Sequence, residues 1–482
     1  MRETLLHLEM AARQLEPSAL ERAHAREHVI DYSENFLDNI ESIKVYDKSE
    51  NTGLALLDSP ISESGIGIDA AIKLLAENVD GPGLNPASGG HLGYIPGGGI
   101  YYSALGDYLA DIFNRYAGIF FAAPGAVRME NMLIRWMSEI VGYPLEAAGN
   151  LTSGGSLASL IAIVTARDAH GIKSANITRS VIYLSEQTHH CIDKAIRIAG
   201  LGECIVRHLP LDERYRIKAD ELSEQIDRDR AAGLNPFLVV ASAGSTDVGA
   251  IDPLGEIGVI AKKHGVWYHI DAAYGGFFVL TEEGKEKLKG IETSDSLVID
   301  PHKGLFLPYG LGVVLVKHAA KLHESHRYTA NYMQDAAALT DEASPADLSP
   351  ELTKHFRGLR LWLPLKLHGV APFRACLEEK LLLAKYFYAE VRKLGFESSI
   401  EPELSVVTYR WLPRNGDANS FNKRLLDAIV ADGRVFISST MLGGEFTLRF
   451  ACLSFRTHLD TVDKLLSILG ENAQRIEDQV AS

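Results

Sequence analysis

Four short apolar runs in this chain each end on a residue whose chemistry exceeds the needs of a core. SLVI (296–299) runs into Asp300, Pro301, His302, Lys303 and Gly304. Lysine is among the residues least often buried, so one at the end of a core strand, between Pro and Gly, needs a reason. In a dry site a lysine is a nucleophile towards aldehydes and forms a Schiff base. The run before it, VWYHI, ends on Asp271, followed by Ala272, Ala273, Tyr274, Gly275 and Gly276: a carboxylate with room beside it for a flat ligand. FLVVA (237–241) ends in SAGSTDVGAID, where Ser245 and Thr246 offer hydroxyls in a Gly-rich turn. VIYL (181–184) ends in SEQTHHCIDKA, with His189 and His190 at a strand-to-helix junction. Cys191 does not complete a metal-ligand spacing there, so no metal is expected. A ring-stacking or hydrogen-bonding histidine fits better, with a surface or capping histidine as the plain alternative.

A fifth cluster, Thr152, Ser153, Gly154, Gly155 and Ser156, opens a helix with bare amides and hydroxyls. Such a start binds phosphate through N–H groups and the positive end of the helix dipole, although Ser and Thr also cap helices with no ligand present. Lysine for an aldehyde, carboxylate for a ring nitrogen, anion cradle and flat ring contact together make the set that pyridoxal 5'-phosphate needs.

Elements must hold these residues in one place. The spacing predicts strands at Val181–Leu184, Cys204–Leu209, Phe237–Ala241, Val266–Ile270, Leu297–Ile299 and Val313–Val316. Helices are expected between several of them, at 156–170, 190–200, 217–232 and 253–264. That alternation specifies an α/β fold: a mainly parallel sheet with helices on both faces. In such sheets ligands sit at the carboxyl ends of the strands, where every cluster above lies. Three units are expected: a helical N-terminal segment (1–80), a large α/β domain (81–369) and a smaller C-terminal α+β domain (370–482). The last begins with a long helix (373–394) and continues in αββα-like order.

The 482 residues, 46% hydrophobic, can bury more than one core. A net charge of −15 argues against nucleic-acid or anionic-membrane partners. No run of 18 apolar residues exists, and MRETLLHLEM lacks the regions of a signal peptide, so a cytoplasmic protein without a membrane span is expected. Cys191, Cys204, Cys376 and Cys452 are too scattered for a disulfide framework.

The stretches TSGGSLAS, SEQTHHCIDKA, AGSTDVGAID, HIDAAYGG, DPHKG and LRFACLSFRT, with GHLGYIP upstream, resemble the group II pyridoxal-phosphate-dependent amino acid decarboxylases. These have the aspartate-aminotransferase-like fold (fold type I). The resemblance implies Lys303 as the Schiff-base lysine and Asp271 as partner of the pyridine N–H. Ala273 would lie on one ring face and His189, which keeps the family's Q-x-H spacing, on the other. Gly154, Gly155 and Ser156 would hold the phosphate with Asp300 and His302 nearby, and Thr246 would contact the ring's phenolic oxygen. A loop tyrosine protonates the substrate carbon in the family. Here Tyr328 or Tyr332 is expected to take that role, while the aligned position falls near Ser344. Two further departures stand out: Gly304 replaces a common Trp, and Asp300 a common Asn.

The resemblance further implies a homodimer with shared active sites. Tyr94 and Gly97 would line the side-chain pocket, with Tyr116 and Phe120 reaching in from a partner subunit. The expected reaction is decarboxylation of an L-amino acid, aromatic before others, to an amine and CO2. Alternatives are oxidative deamination to an aldehyde and another fold type I carbon–carbon lyase. More distant is a nicotinamide-dependent dehydrogenase, raised by GIGIDA (65–70), which follows no apolar run.

Overall fold

The computed structural model describes residues 1–48, 52–327 and 342–481. Its centre is a seven-stranded sheet of Ala148–Thr152 (β1), Ser180–Leu184 (β2), Ile205–His208 (β3), Asn235–Ser242 (β4), Trp267–Asp271 (β5), Ser296–Ile299 (β6) and Gly312–Val316 (β7). The spatial order is β1-β7-β6-β5-β4-β2-β3. Strands β2 to β6 run parallel, and β7 lies antiparallel between β6 and β1.

Why these segments are strands is plain from their burial. SVIYL, SLVI and GVVLV are buried at every position, as expected of strands covered on both faces. Alternation then sorts the side chains. Val181, Tyr183, Val239, Ala241, Tyr268, Ile270, Leu297 and Ile299 enter one core. Ile182, Leu184, Leu238, Val240, Trp267 and Val298 enter the other. Helix Gly155–Ala169 (α1) covers the second face with the small or slim residues Ala158, Ser159, Ala162, Ile163 and Ala166.

The expected strands and helices of this region are present to within two residues at their ends. Asp271 is the last residue of β5 rather than the first after it. Strand β1 and the helices Tyr101–Phe113, Pro124–Ile140 and Gly358–His368 were not expected from the sequence.

A second sheet pairs Val406–Tyr409, Glu445–Ala451 and Phe436–Leu442, with His91–Leu92 joined in parallel to Phe436–Ile437. After the long helix the C-terminal order is therefore βαββα, the expected αββα preceded by one further strand. The four-residue strand Val406–Tyr409 comes first, and helix Ala418–Asp432 crosses over before the hairpin. Helices Ala371–Lys393, Ala418–Asp432 and Leu459–Ala481 pack on it around Phe387, Tyr409, Phe421 and Phe450. Residues 65–70 lead into helix Ile68–Leu75, and no strand of the seven-stranded sheet precedes it, so they do not form a dinucleotide-binding turn.

The N-terminal helices Arg2–Ala12 and Ala19–Asn39 bury none of their residues in this chain. Ser18 and Glu21 close a capping box at the second helix. Leu5, Leu6, Leu8 and Met10 are each more than half exposed.

Candidate active site

Strands β2, β4, β5 and β6 end at one cavity of about 400 Å³, floored by the first turn of α1. Lys303 sits on the single helical turn Pro301–Gly304, entered through Pro301 at its first position. Lys303 N–H donates to Asp300 O at 2.9 Å, which pins the turn. Its Nζ lies 3.5 Å from Asp300 Oδ2. Gly304 is explained by its surroundings: a Cβ there would stand 2.7 Å from Phe277 Cβ.

Asp271 is aligned with Ser242 of β4 and with Val298 of β6. Its Oδ1 accepts from Ala273 N–H at 3.1 Å, which fixes the carboxylate at the strand end. His189 follows a turn closed by Ser185 N–H to Thr188 Oγ1 at 3.1 Å. Its Nδ1 accepts from Cys191 N–H at 3.3 Å; in the neutral ring Nε2 then carries the proton. Burial lowers the His189 pKa; Asp271 opposes this, and the neighbouring His190 and Lys303 lower it further against Asp247. The ring of His190 lies 4.1 Å away and is exposed.

The first turn of α1 has no side-chain cap. Gly154 takes φ 158°, and Gly155 leaves room for Asp300, since a Cβ would stand 2.8 Å from Asp300 Oδ2. His302 is turned by Nδ1 bonding to Leu311 O at 2.5 Å. Thr246 is on the loop after β4, and its carbonyl accepts from Arg449 Nη2. Arg449 Nε also reaches Asp247 O at 2.8 Å and Nη1 reaches Ser438 Oγ at 2.7 Å. Gly154, Gly155, Ser156, His189, Thr246, Asp271, Ala273, Asp300, His302 and Lys303 thus all line one cavity.

The proposed substrate-pocket residues are not brought together in the same way. Gly97 packs beneath the lysine turn, where a Cβ would be 2.5 Å from His302 O and 3.0 Å from Lys303 O. Ile95 and Phe306 flank this contact with left-handed backbone (φ 59° and 62°), strain rarely held by non-glycine residues. Tyr94 is exposed against Phe436, ring centroids 5.5 Å apart. Tyr116 donates to Leu352 O at 3.0 Å, and buried Phe120 carries the Arg128 guanidinium over its ring at 5.1 Å. None of Tyr94, Tyr116 and Phe120 lines the cavity of its own chain. Tyr328 and Tyr332 lie outside the described residues. Ser344 Oγ accepts from Phe120 N–H at 3.1 Å.

Sequence reasoning missed Ser242, Gln187, Tyr309 and Gly310, which also line the cavity. Ser242 closes β4 as Asp271 closes β5, so the strand-end rule would have found it. Arg449 and Arg456 lie in the LRFACLSFRT stretch, whose two arginines carried no assigned role. Arg456 Nη1 holds Ala87 O at 3.1 Å and Gly98 O at 2.9 Å.

These residues fit pyridoxal 5'-phosphate. The uncapped helix start, with glycine where a Cβ would crowd the floor, makes an anion cradle. Asp300 Oδ1 is buried there without a hydrogen-bond partner. Asp271 brings a carboxylate, Lys303 an amine and His189 a flat ring to the same cavity. Among the described residues, no group of three His, Cys, Asp or Glu side chains converges as for a metal, and no helix is long and apolar enough to cross a membrane.

Comparison with known proteins agrees with this geometry. Residues 90–412 match the pyridoxal-dependent decarboxylase conserved domain. The chain is 34% identical to an aromatic-L-amino-acid decarboxylase of Bacillus atrophaeus over 78% of this chain and 79% of that one. It is 30% identical to tryptophan decarboxylase 2 of Oryza sativa subsp. japonica over 78% and 79%. A crystal structure of Oryza sativa TDC with PLP and tryptamine superposes with a TM-score of 0.89 at 25% identity, covering 95% of this chain and 99% of that one. Fold type I is the architecture described above, and the chain belongs to the pyridoxal-dependent decarboxylase family, as a carboxy-lyase that acts on an amino acid with pyridoxal 5'-phosphate as cofactor.

Proposed function

We propose that the substrate is an aromatic L-amino acid, released as the amine and CO2. The observation that carries this reading is the lining of the cavity. Among the described residues, Lys303 is its single Lys or Arg, so no guanidinium is at hand for a second carboxylate, while Tyr274 and Tyr309 supply aromatic surface. The relatives named for aromatic and tryptophan substrates support the same choice.

In this reading Lys303 Nζ would be the amine that holds the cofactor through its aldehyde carbon. The cofactor supplies a protonated pyridine ring that draws electrons from the substrate carbon. Asp271 keeps that ring nitrogen protonated with its carboxylate. Ala273 and His189 would confine the ring from its two faces, and the His189 Nε2–H would serve as donor to the substrate carboxylate. The amides of the first turn of α1, with Gly154, Gly155 and Ser156, hold the phosphate. Thr246 contacts the phenolic oxygen, its loop held by Arg449. Tyr328 or Tyr332 returns the proton to the substrate carbon. Tyr94 and Gly97 border the side chain, and Tyr116 and Phe120 act across a subunit boundary in a cytoplasmic homodimer. The helices of residues 1–80 form an arm over the partner, with 81–369 as the large unit and 370–482 as the small one.

Purified protein loaded with cofactor and mixed with a panel of L-amino acids tests the reading. CO2 with one equivalent of amine is expected from at least one of tryptophan, tyrosine, phenylalanine and 3,4-dihydroxyphenylalanine, and none from glutamate or aspartate. Release from acidic or basic substrates alone would overturn the substrate class. Aldehyde with ammonia and hydrogen peroxide would replace amine formation by oxidative deamination.

A further inference from the structure

Asp300 precedes the lysine turn and lines the cavity, and its surroundings make its charge consequential. Its side chain is 2% exposed. Oδ2 faces Lys303 Nζ at 3.5 Å and His302 Nε2 at 3.7 Å. Oδ1 has no hydrogen-bond partner among the described residues. Two glycines press the carboxyl against the start of α1: a Cβ on Gly155 would be 2.8 Å from Oδ2, and one on Gly312 would be 2.7 Å from Oδ1 and 2.6 Å from Gly155 N. The carboxyl therefore shares the positive end of a 15-residue helix with whatever anion the cradle receives.

A phosphate dianion beside a buried carboxyl disfavours the ionised form of that carboxyl. An ionised carboxylate is also only an acceptor, whereas a protonated one donates. We propose that Asp300 is protonated when the cofactor phosphate is in place, so that the chain takes up one proton on binding it. This rests on the reading of the cavity as the cofactor site. The buried Oδ1 then has a use, as donor to the phosphate.

The other groups around Asp300 allow it. Burial raises its pKa from the ordinary carboxylate value, Lys303 and His302 pull it down, and Asp271 on β5 pushes it up. Cys191, on the helix Cys191–Ile198, is pushed up to about 12 and stays neutral. The first turn of α1 and Gly312 of β7 bring no charged side chain to the carboxyl; Ser156 and Ser159 are the hydroxyls of that turn. Phosphate binding adds a negative neighbour, and negative neighbours raise a carboxyl pKa further. Uptake of a proton means affinity that falls as pH rises.

The probe is pyridoxamine 5'-phosphate, which carries the phosphate but no aldehyde and so forms no bond to Lys303. Its affinity for the apo form of the wild-type protein and of Asp300→Asn is measured by equilibrium dialysis above about pH 7, where a phosphate monoester is a dianion. Wild-type affinity is expected to fall about tenfold per pH unit more steeply than that of the variant. Titration calorimetry in two buffers of different ionisation heat should find about one proton more taken up by the wild type. Equal pH slopes and equal proton uptake would overturn the proposal. Should Asp300→Asn not fold, Asp300→Ser replaces it, and wild-type calorimetry with no proton uptake overturns the proposal by itself. Absence of binding by either protein, with no cofactor fixed to Lys303 by borohydride, would remove the cofactor site and this inference together.

Discussion

At the scale of single residues, the lysine turn is shaped by what its neighbours omit. Gly97 lets the segment 97–100 lie against the carbonyls of His302 and Lys303, and Gly304 lets the turn lie against Phe277. The Gly304→Ala substitution adds a methyl 2.7 Å from Phe277 Cβ; it should lower stability by about 1–3 kcal/mol in urea melts. A change under about 0.5 kcal/mol would mean the turn has slack. Asp271 has the opposite problem, since its shape can be kept while its charge is removed. Asp271→Asn should leave the melt nearly unchanged and lower kcat by about 10²–10³-fold, the scale of losing one electrostatic partner. An unaffected kcat would dissociate Asp271 from the ring nitrogen.

At the scale of elements, helix Pro124–Ile140 and β1 are both tied to the segment after residue 341 by one buried lysine, which forms an ion pair with the helix. Lys354 Nζ meets Glu130 Oε2 at 2.8 Å, Asn150 Oδ1 at 2.9 Å and Leu151 O at 3.3 Å, and both ionic side chains are essentially unexposed. Removing one partner strands the other charge. Lys354→Met should cost about 3–5 kcal/mol, and Glu130→Gln in that background should recover part of it. Additive losses in the double variant would contradict the pairing. Strand β5 adds a pH dependence. His269 is fully buried, its Nδ1 bonded to Ser296 Oγ at 2.9 Å, and burial pushes its pKa down to about 4 from 6.5. The native state thus binds fewer protons than the unfolded chain between those values, so stability present above pH 6.5 is lost as pH falls towards 4. The loss at pH 4.5 should be about 2 kcal/mol smaller in His269→Gln than in the wild type; identical profiles would exclude His269 as the source.

These elements also show what was legible in the sequence. Parallel strands buried on both faces read as unbroken apolar runs, and the residue closing each run faces the ligand side. Lys303, Asp271 and the His189 turn were visible for that reason. Arg449 and Arg456 were not, because they hold backbone carbonyls of loops 202 and 358 residues away in sequence. The pairing of His91–Leu92 with Phe436–Ile437 was hidden likewise: a two-residue strand has no period to read.

At the scale of the whole molecule, the two N-terminal helices have no fully buried residue in their own chain, and the first exposes Leu5, Leu6, Leu8 and Met10. Apolar surface of that kind marks an interaction site. Sedimentation of the intact protein should give twice the 52.8 kDa chain mass. A variant lacking residues 1–39 should dissociate or weaken as a dimer; a monomer at both lengths would end the shared-site reading. The central claim, that Lys303 is where the chain holds its cofactor, has a more direct test. Protein incubated with pyridoxal 5'-phosphate, reduced with borohydride and digested should carry the pyridoxyl group on the peptide containing Lys303, and Lys303→Ala should carry none. A label on another lysine, or one that survives in Lys303→Ala, would contradict the account.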